Sequence, residues 1–348
     1  MKNRFLIIQT AFIGDVVLAT GLAEKLHKFY PEAEIFMLVR RGNEALFNKH
    51  PFLKVLVWDK KESKYLNLSK VLFQIRRLRF SKVINVQRYA ATGFLTAFSG
   101  AKERVGFDKN PFKAFFTHKV PHEFSGEGER VVHEIERNNK LIEHCTDDSV
   151  FKPKLYPGPE EHEKLARFKR LPYITISPAS VWKTKQYPMD RWMAFIEKVP
   201  YEFSIYLLGG PDDFKLGDDI KRRTGNPYVT NFCGQLNFLE SLSFMQGAAM
   251  NYVNDSAPMH FASALNAPVT AVYCSTVPSF GYGPLSDERY IVEYPGKLYC
   301  RPCGLHGHPE CPEGHFRCAL DIATDQLMAT LPKPQLPVFP QLTSQDEE

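Results

Sequence analysis

Short apolar runs alternate with amphipathic stretches along most of the chain. In the first half, the apolar runs predict strands at residues 5–9, 35–39, 55–58, 82–86 and 104–107. Helical spacing predicts helices at 16–29, 66–78, 89–98 and 131–144. The second half repeats this pattern, with strands at 173–177, 204–208, 229–232, 250–253 and 269–273 and helices at 191–199, 214–223, 238–248 and 259–265. Such alternation predicts an α/β protein with doubly wound parallel sheets.

A proline-rich segment separates the two halves. Residues 151–159 (FKPKLYPGP) contain three prolines and a glycine, which is typical of a linker. We therefore expect one domain over residues 1–152 and a second over 160–331, followed by a disordered tail over 332–348. Ligands of α/β sheets bind at the carboxyl ends of the strands, so two such edges can face one cleft.

Composition narrows the class of protein. The chain has 348 residues, of which 44 % are hydrophobic and 24 % are charged. These are ordinary values for a globular protein and exclude a disordered or collagen-like chain. The sequence contains neither an apolar run of about 18 residues nor a signal-peptide core, so we expect a cytoplasmic protein.

Charge is distributed unevenly between the halves. Residues 1–150 contain 25 Lys and Arg against 17 Asp and Glu, a balance of +8. Residues 151–348 contain 19 against 22, a balance of −3. A basic half is compatible with an anionic partner and equally with a solubilising surface.

The first candidate motif follows the first predicted strand. Residues 10–20 (TAFIGDVVLAT) combine a strand end, a turn and a helix start, but their single glycine does not satisfy the dinucleotide-binding pattern GxGxxG. Asp15 has two interpretations. It is either a helix N-cap or a carboxylate at the cleft that takes a proton from a hydroxyl nucleophile.

Three segments of the second half place polar residues after predicted strands. Residues 254–265 start a helix whose free N–H groups suit a pyrophosphate, although simple capping is the alternative. The loop 177–188 carries Lys183 and Lys185, which form either an anion cradle or a solvated surface. In residues 208–213 (LGGPDD), Asp212 could hold a ribose or cap the next helix.

Four segments taken together resemble one family of sugar-transferring enzymes. They are residues 14–20 (GDVVLAT), 133–138 (HEIERN), 185–188 (KQYP) and 255–262 (DSAPMHFA). From about residue 3 to 331 the chain resembles the ADP-heptose:lipopolysaccharide heptosyltransferases, glycosyltransferase family 9. The resemblance implies the GT-B fold, two Rossmann-like domains facing a cleft. It also implies inverting transfer of heptose from ADP-heptose to an anionic glycolipid of the inner core, without a metal or other cofactor. The alternative is an enzyme of the same family with a different nucleotide-sugar donor or a different glycan acceptor.

The resemblance implies roles for individual residues. Asp15 corresponds to the family's proposed catalytic base, and Lys185 corresponds to a lysine that contacts the donor phosphates. Gly14 and Arg88 fall on the acceptor side, and Leu236 falls where the family places an apolar residue against adenine. The implied donor-binding residues are Ser180, Lys185, Asp212, Leu236, Asp255, Ser256, Ala257, Met259 and His260.

Four of the seven cysteines are clustered near the end of the chain. They are Cys300, Cys303, Cys311 and Cys318. A Cys-x2-Cys start is typical of a structural zinc site, but no matching second pair follows it. Reduced thiols in a rigid loop, or a disulfide, are the alternatives, and the catalytic site itself is expected to hold no metal.

Two other classes of function fit the sequence less well. A nicotinamide-dependent oxidoreductase needs a glycine-rich turn, and this chain offers only Gly14 there. A module that binds a nucleotide or nucleic acid has no use for Asp15 at the cleft, and no pattern of aromatic and basic strand residues is visible. We therefore expect an enzyme with a nucleotide-sugar donor, a glycolipid acceptor, peripheral contact with the inner membrane surface and no nucleic-acid partner.

Overall fold

The computed structural model describes residues 3–61, 63–123 and 130–334. In the first half, six strands form one sheet: β1 (Arg4–Ile8), β2 (Glu34–Arg40), β3 (Leu53–Trp58), β4 (Lys82–Asn85), β5 (Glu103–Phe107) and β6 (His118–Val120). Their order is β3-β2-β1-β4-β5-β6, and every neighbouring pair is parallel. The direction of winding therefore reverses between β1 and β4.

The second half repeats this topology. Its strands are β7 (Tyr173–Ser177), β8 (Ser204–Leu207), β9 (Val229–Asn231), β10 (Met250–Asn254), β11 (Val269–Tyr273) and β12 (Arg289–Glu293). The order β12-β11-β10-β7-β8-β9 is again entirely parallel and reverses between β7 and β10. The prediction of two doubly wound parallel sheets is confirmed.

Helices cover the sheets. They are α1 (Ile13–Phe29), α2 (Lys64–Leu78), α3 (Ala90–Ala97), α4 (Glu134–Asn139), α5 (Pro159–Lys164), α6 (Met189–Ile196), α7 (Phe214–Arg223), α8 (Phe238–Gly247), α9 (Ala257–Leu265), α10 (Arg317–Leu320) and α11 (Thr324–Met328). None of the helices in these described stretches combines the length and the apolar character that crossing a membrane requires.

Alternate residues of β1 enter different apolar layers, as the two-residue period of a strand dictates. Leu6 and Ile8 pack in one layer with Val71 of α2. Phe5 and Ile7 belong to the other layer, which also contains the apolar faces of α1 and α9. Helices α1 and α9 pack against each other. Because α1 follows β1 and α9 follows β10, this contact brings the carboxyl ends of both sheets together.

The sequence prediction was wrong at several places. The long helix expected over 131–144 is only α4, because its N-cap residue His133 is extended and accepts a hydrogen bond from the N–H of Ile135 through its side chain. The strands β6 and β12 were not predicted, since β6 has three residues and β12 is mostly exposed. The helices α5, α10 and α11 are short and were also missed. From residue 335 onwards, the tail expected to be disordered lies outside the described residues.

Candidate active site

A cavity of about 520 Å³ lies between the carboxyl ends of the two sheets. The segments that follow β1 and β4 line one side, and those that follow β7, β10 and β11 line the other. Both reversals of strand order therefore open onto the same space, which is where α/β sheets bind ligands. The volume is in the range typical of small-molecule sites.

Asp15 lies in the first turn of α1 and lines this cavity. Its interpretation as the helix N-cap is wrong, because Phe12 is the N-cap residue and Asp15 is the third residue of the helix. Burial raises the pKa of Asp15 to about 6, and the nearby charge of Glu134 adds to the rise. Backbone N–H groups and Arg40 oppose it. A carboxylate with this pKa is suited to accept a proton near neutral pH.

Gly14 allows α1 to approach α9 closely. A β-carbon at this position would lie only 2.8 Å from Cδ2 of His260. The His260 ring is buried, and its Nδ1 has no hydrogen-bond partner within the described stretches. Burial lowers the pKa of His260 to about 3 although Asp255 opposes the change, so the ring is neutral at neutral pH.

Lys185 and Asp255 form an ion pair on the second-sheet side of the cavity. The Lys185 Nζ lies 2.7 Å from Oδ2 of Asp255. The hydroxyl of Thr276 donates to the same oxygen at 2.6 Å. Asn254 supports the neighbouring loop, because its side-chain amide donates to the carbonyl of Pro178 at 2.9 Å and accepts from the N–H of Tyr187 at 2.8 Å. The pair is thus held at the ends of β7 and β10.

Three cationic side chains line the first-sheet side: Arg40, Lys60 and Arg88. Lys60 donates to the carbonyl of Thr10 at 2.7 Å. Thr10 in turn donates through its hydroxyl to Oε1 of Gln87 at 2.6 Å, which ties the segment after β1 to the segment after β4. These three cations outnumber the two carboxylates on the same side, Asp15 and Glu134, which suits an anionic ligand.

Most of the residues assigned from the sequence do line the cavity. On the first-sheet side these are Gly14, Asp15 and Arg88, and on the second-sheet side Ser180, Lys185, Asp255, Ser256, Ala257 and His260. Three assigned residues do not line it. Met259 is fully buried, where Tyr273 donates to its sulfur at 3.3 Å. Leu236 packs against the apolar core, and Asp212 is exposed on a short 3-10 segment, Pro211–Asp213.

The sequence did not identify several residues of the cavity. Glu134, at the start of α4, lies in the motif at residues 133–138, but the sequence predicted no role for it. Phe280 and Tyr282 come from the loop after β11, and Leu305 and His306 come from the cysteine-rich segment. The side chains from these two loops reach the site through tertiary contacts that no sequence pattern indicated. Glu134 is the one that could have been found, because it lies inside a recognisable motif.

The cysteine-rich segment is fixed by backbone contacts. The N–H of Thr184 donates to the carbonyl of His308 at 3.1 Å, and the N–H of Cys303 donates to the carbonyl of Ser275 at 2.8 Å. All seven cysteines have free thiols, and the Cys300 Sγ lies 3.8 Å from Nε2 of His315.

The zinc site suggested by the cysteine spacing is not assembled. Over the described ranges, the sole group of three or more metal-ligating side chains with ligand atoms within 4.8 Å of one another is elsewhere, at Glu103, His144 and Cys145. There the carboxylate of Glu103 already binds Lys82 at 2.7 Å and also contacts His144.

Known proteins resemble this chain in sequence and in fold. The chain matches the family model described as glycosyltransferase family 9 (heptosyltransferase) over residues 69–310. Lipopolysaccharide heptosyltransferase 3 of Escherichia coli is 24 % identical over 285 residues, which cover 76 % of this chain and 82 % of that protein.

Two solved structures from Escherichia coli share the fold. The structure of ADP-heptose lps heptosyltransferase II has a TM-score of 0.76 at 17 % identity, covering 95 % of this chain and 97 % of that one. Heptosyltransferase WaaC with ADP has a TM-score of 0.70 at 16 % identity, covering 94 % and 98 %. These likenesses confirm the expected GT-B arrangement of two sheets around a cleft.

Proposed function

Because the chain belongs to glycosyltransferase family 9, we propose that it transfers heptose from ADP-heptose to the inner core of lipopolysaccharide, with inversion and without a metal ion. The observation that carries this proposal is the shared cavity, which is lined by Asp15 from the first half and by Lys185 and Asp255 from the second. Of the two similar structures, one is an ADP-heptose enzyme and the other holds ADP, which supports the choice of donor.

The second half binds the donor in this proposal. The first turn of α9 presents the positive end of the helix dipole, which favours a diphosphate. Pro258 has no N–H and the N–H of Met259 donates to the carbonyl of Ser256 at 3.0 Å, so Ala257 carries the N–H that can bind a phosphate there. Lys185 adds a full positive charge close to this turn. As the bond between the anomeric carbon and the phosphate oxygen breaks, negative charge grows on the leaving ADP. Lys185 and the start of α9 stabilise that charge.

Asp15 is the base in this proposal. Its carboxylate accepts the proton of the acceptor hydroxyl while that oxygen forms a bond to the anomeric carbon. The bond to the phosphate oxygen breaks on the opposite face, so a single displacement inverts the configuration. ADP leaves with the bonding electron pair, and Asp15 is left protonated.

The first half binds the anionic acceptor, through the cationic side chains Arg40, Lys60 and Arg88. Helix α2 extends this surface, since it contains no acidic residue and begins four positions after Lys60. Its outward side chains include the exposed apolar residues Tyr65 and Phe73 and the exposed cations Lys70, Arg76 and Arg77. Aromatic and basic groups together favour the surface of an anionic membrane.

Nucleotide selectivity tests the proposal most directly. We expect ADP to raise the melting temperature of the protein more than UDP or GDP, and Lys185→Ala to reduce that shift while Lys183→Ala retains it. Incubation with ADP-heptose and a heptose-deficient lipopolysaccharide should yield one added heptose by mass spectrometry, with or without EDTA. A preference for UDP or GDP would exclude the proposed donor, and loss of activity in EDTA that magnesium restores would exclude the metal-free reaction.

A further inference from the structure

Part of the cysteine-rich segment, residues 303–308, lies as a strap against the second-sheet side of the cavity. At one end of the strap, the N–H of Cys303 donates to the carbonyl of Ser275, just after β11, at 2.8 Å. At the other end, the carbonyl of His308 accepts from the N–H of Thr184 at 3.1 Å. Two residues between these anchors line the cavity. The strap is therefore a fixed part of the cavity wall.

The hydroxyl of Thr184 is the centre of the second anchor. Only 2 % of Thr184 is exposed. Its hydroxyl accepts from the N–H of His308 at 2.8 Å and donates to the carbonyl of the same residue at 3.1 Å. It also accepts from the hydroxyl of Ser275 at 3.1 Å. A hydroxyl has one proton to donate and two lone pairs, so its whole hydrogen-bonding capacity is used here.

The strap also packs against the side chain of Lys185, which ends the 3-10 segment Lys183–Lys185. Gly307 has a φ of +76°, and an added β-carbon would lie 2.8 Å from Oγ1 of Thr184 and 3.1 Å from Cγ of Lys185. These distances leave no room for a side chain at this position. The Lys185 side chain is only 15 % exposed. The strap thus confines the stem of a lysine whose side chain lines the cavity.

The cysteine-rich segment also supports the ion-pair partner of this lysine. Arg301 lies just before the strap, and its Nη2 donates to the carbonyl of Thr276 at 2.8 Å and to Oε2 of Glu293 at 2.5 Å. Thr276 in turn donates through its hydroxyl to Oδ2 of Asp255, the atom that pairs with Lys185. Both members of the ion pair are therefore held through contacts with this one segment.

This inference rests on the proposed function, since it concerns the lysine assigned to the donor phosphates. We propose that Thr184 and Gly307 are positioning residues, through which the strap holds the Lys185 side chain in place for the donor diphosphate. A lysine side chain has many rotamers, and fixing its stem before the donor arrives lowers the entropic cost of binding. Neither Thr184 nor Gly307 lines the cavity. Their effect on nucleotide binding therefore passes through Lys185.

A double-mutant cycle on nucleotide affinity tests this proposal. We expect Thr184→Val to raise the Kd for ADP about three- to tenfold, because the hydrogen bonds that attach the strap beside Lys185 are lost. Thr184→Ser retains the hydroxyl and should stay within about twofold of the wild type. In a Lys185→Ala background, Thr184→Val should have no further effect on Kd. Calorimetric titration with ADP measures this, and an equal loss in both backgrounds would overturn the proposal.

Gly307→Ala tests the strap from the opposite side and keeps the proposal testable if Thr184→Val fails to fold. We expect it to raise the Kd for ADP by a similar factor, again only when Lys185 is present. Gly314→Ala is the matched control, because Gly314 also has a positive φ, +71°, but an added β-carbon there meets no atom within 4 Å. Equal Kd values for the two glycine variants would contradict a role for the strap.

The choice of nucleotide separates this proposal from the proposed function. If the wild type binds UDP or GDP more tightly than ADP, the proposed donor is wrong, and the same cycle with the preferred nucleotide decides the role of the strap. If ADP is preferred but Thr184→Val and Lys185→Ala act independently, the proposed donor stands and the positioning role is wrong.

Discussion

The Nζ of Lys185 lies 2.7 Å from Oδ2 of Asp255, so this cation of the cavity is paired with a carboxylate of the same wall. Both side chains are largely buried, and Thr276 fixes the carboxylate by a hydrogen bond of 2.6 Å. In the proposed reaction, the donor diphosphate competes with Asp255 for Lys185. If Lys185 turns toward the phosphates, the Asp255 carboxylate is left able to accept a hydrogen bond from a sugar hydroxyl.

Removing this cation should impair catalysis much more than removing its exposed neighbour. We expect Lys185→Ala to lower kcat/KM by about 10²–10³, the range typical of losing a group that stabilises charge in the transition state. Lys183 is exposed on the same 3-10 segment, Lys183–Lys185, so Lys183→Ala is the matched control and should stay within about threefold. Steady-state kinetics with both substrates measures this, and equal losses in the two variants would contradict the role of Lys185.

Replacing the proposed base should remove turnover while leaving donor binding intact. We expect Asp15→Asn to lower kcat by about 10²–10⁴, as is typical when a general base is lost. In the proposed complex the donor contacts belong to the second half, so the dissociation constant of Asp15→Asn for ADP should stay close to that of the wild type. Calorimetric titration measures this. Asp190→Asn on α6, where the carboxylate is 78 % exposed, is the control. Turnover of Asp15→Asn close to the wild-type rate would rule out this base.

The same substitution should stabilise the folded protein in a pH-dependent way. The pKa of Asp15 is about 6 in the folded protein and 3.8 as its ordinary value, so folding disfavours the ionised form. The free energy of unfolding therefore falls as pH rises from about 4 to about 6. Above that range, the full penalty for ionising the buried Asp15 carboxyl is present. Asp15→Asn avoids it and should be more stable than the wild type by about 1–3 kcal/mol at pH 8, with little difference at pH 4. Urea denaturation at both pH values measures this, and a difference independent of pH would contradict the assigned cause.

The helix contact at Gly14 should be intolerant of a methyl group. In Gly14→Ala the new β-carbon would lie 2.8 Å from the buried His260 ring, so either the ring or the two helices must move. We expect a loss of about 1–3 kcal/mol of stability and weaker ADP binding, despite the better helix propensity of alanine. Gly225→Ala is the control, because a β-carbon there meets no atom within 4 Å. Equal melting temperatures for the two variants would show that the His260 ring moves away from residue 14 without any loss of stability.

The surface of α2 should bind anionic membranes in a salt-dependent way. We expect Arg76→Glu combined with Arg77→Glu to reduce co-sedimentation with vesicles of anionic phospholipid, since each basic residue near such a surface contributes about 1 kcal/mol. The rise in melting temperature caused by ADP should be the same in this variant as in the wild type. Lys215→Glu with Lys221→Glu on α7 alters the net charge equally in the second half and is the control. Equal binding to neutral and anionic vesicles, or no binding to either, would leave α2 as ordinary surface.

The sequence indicated the central strands of both sheets and most of the cavity residues, because both can be recognised from residues that are neighbours along the chain. Buried parallel strands are short apolar runs, and the residues just after them, such as Asp15 and Asp255, meet at the carboxyl edges. Met259 was assigned to the ligand because it lies within a motif. On a helix, however, positions three apart share a face, so Ala257 and His260 line the cavity while Met259 turns into the core. Tyr282 and Leu305 reach the site through long-range packing, which no local pattern encodes.

The repeated strand order has a consequence for how such an enzyme can diversify. The cavity is built from strand ends, connecting segments and first helical turns, whereas the buried β-strands of both halves supply only the frame. Substitutions in these segments can alter the choice of nucleotide, sugar or acceptor without disturbing either sheet. Each half can also change independently, because one lines the side with Asp15 and the other the side with Lys185. A few substitutions in the segments that line the cavity can therefore give a new combination of donor and acceptor, while both sheets stay the same.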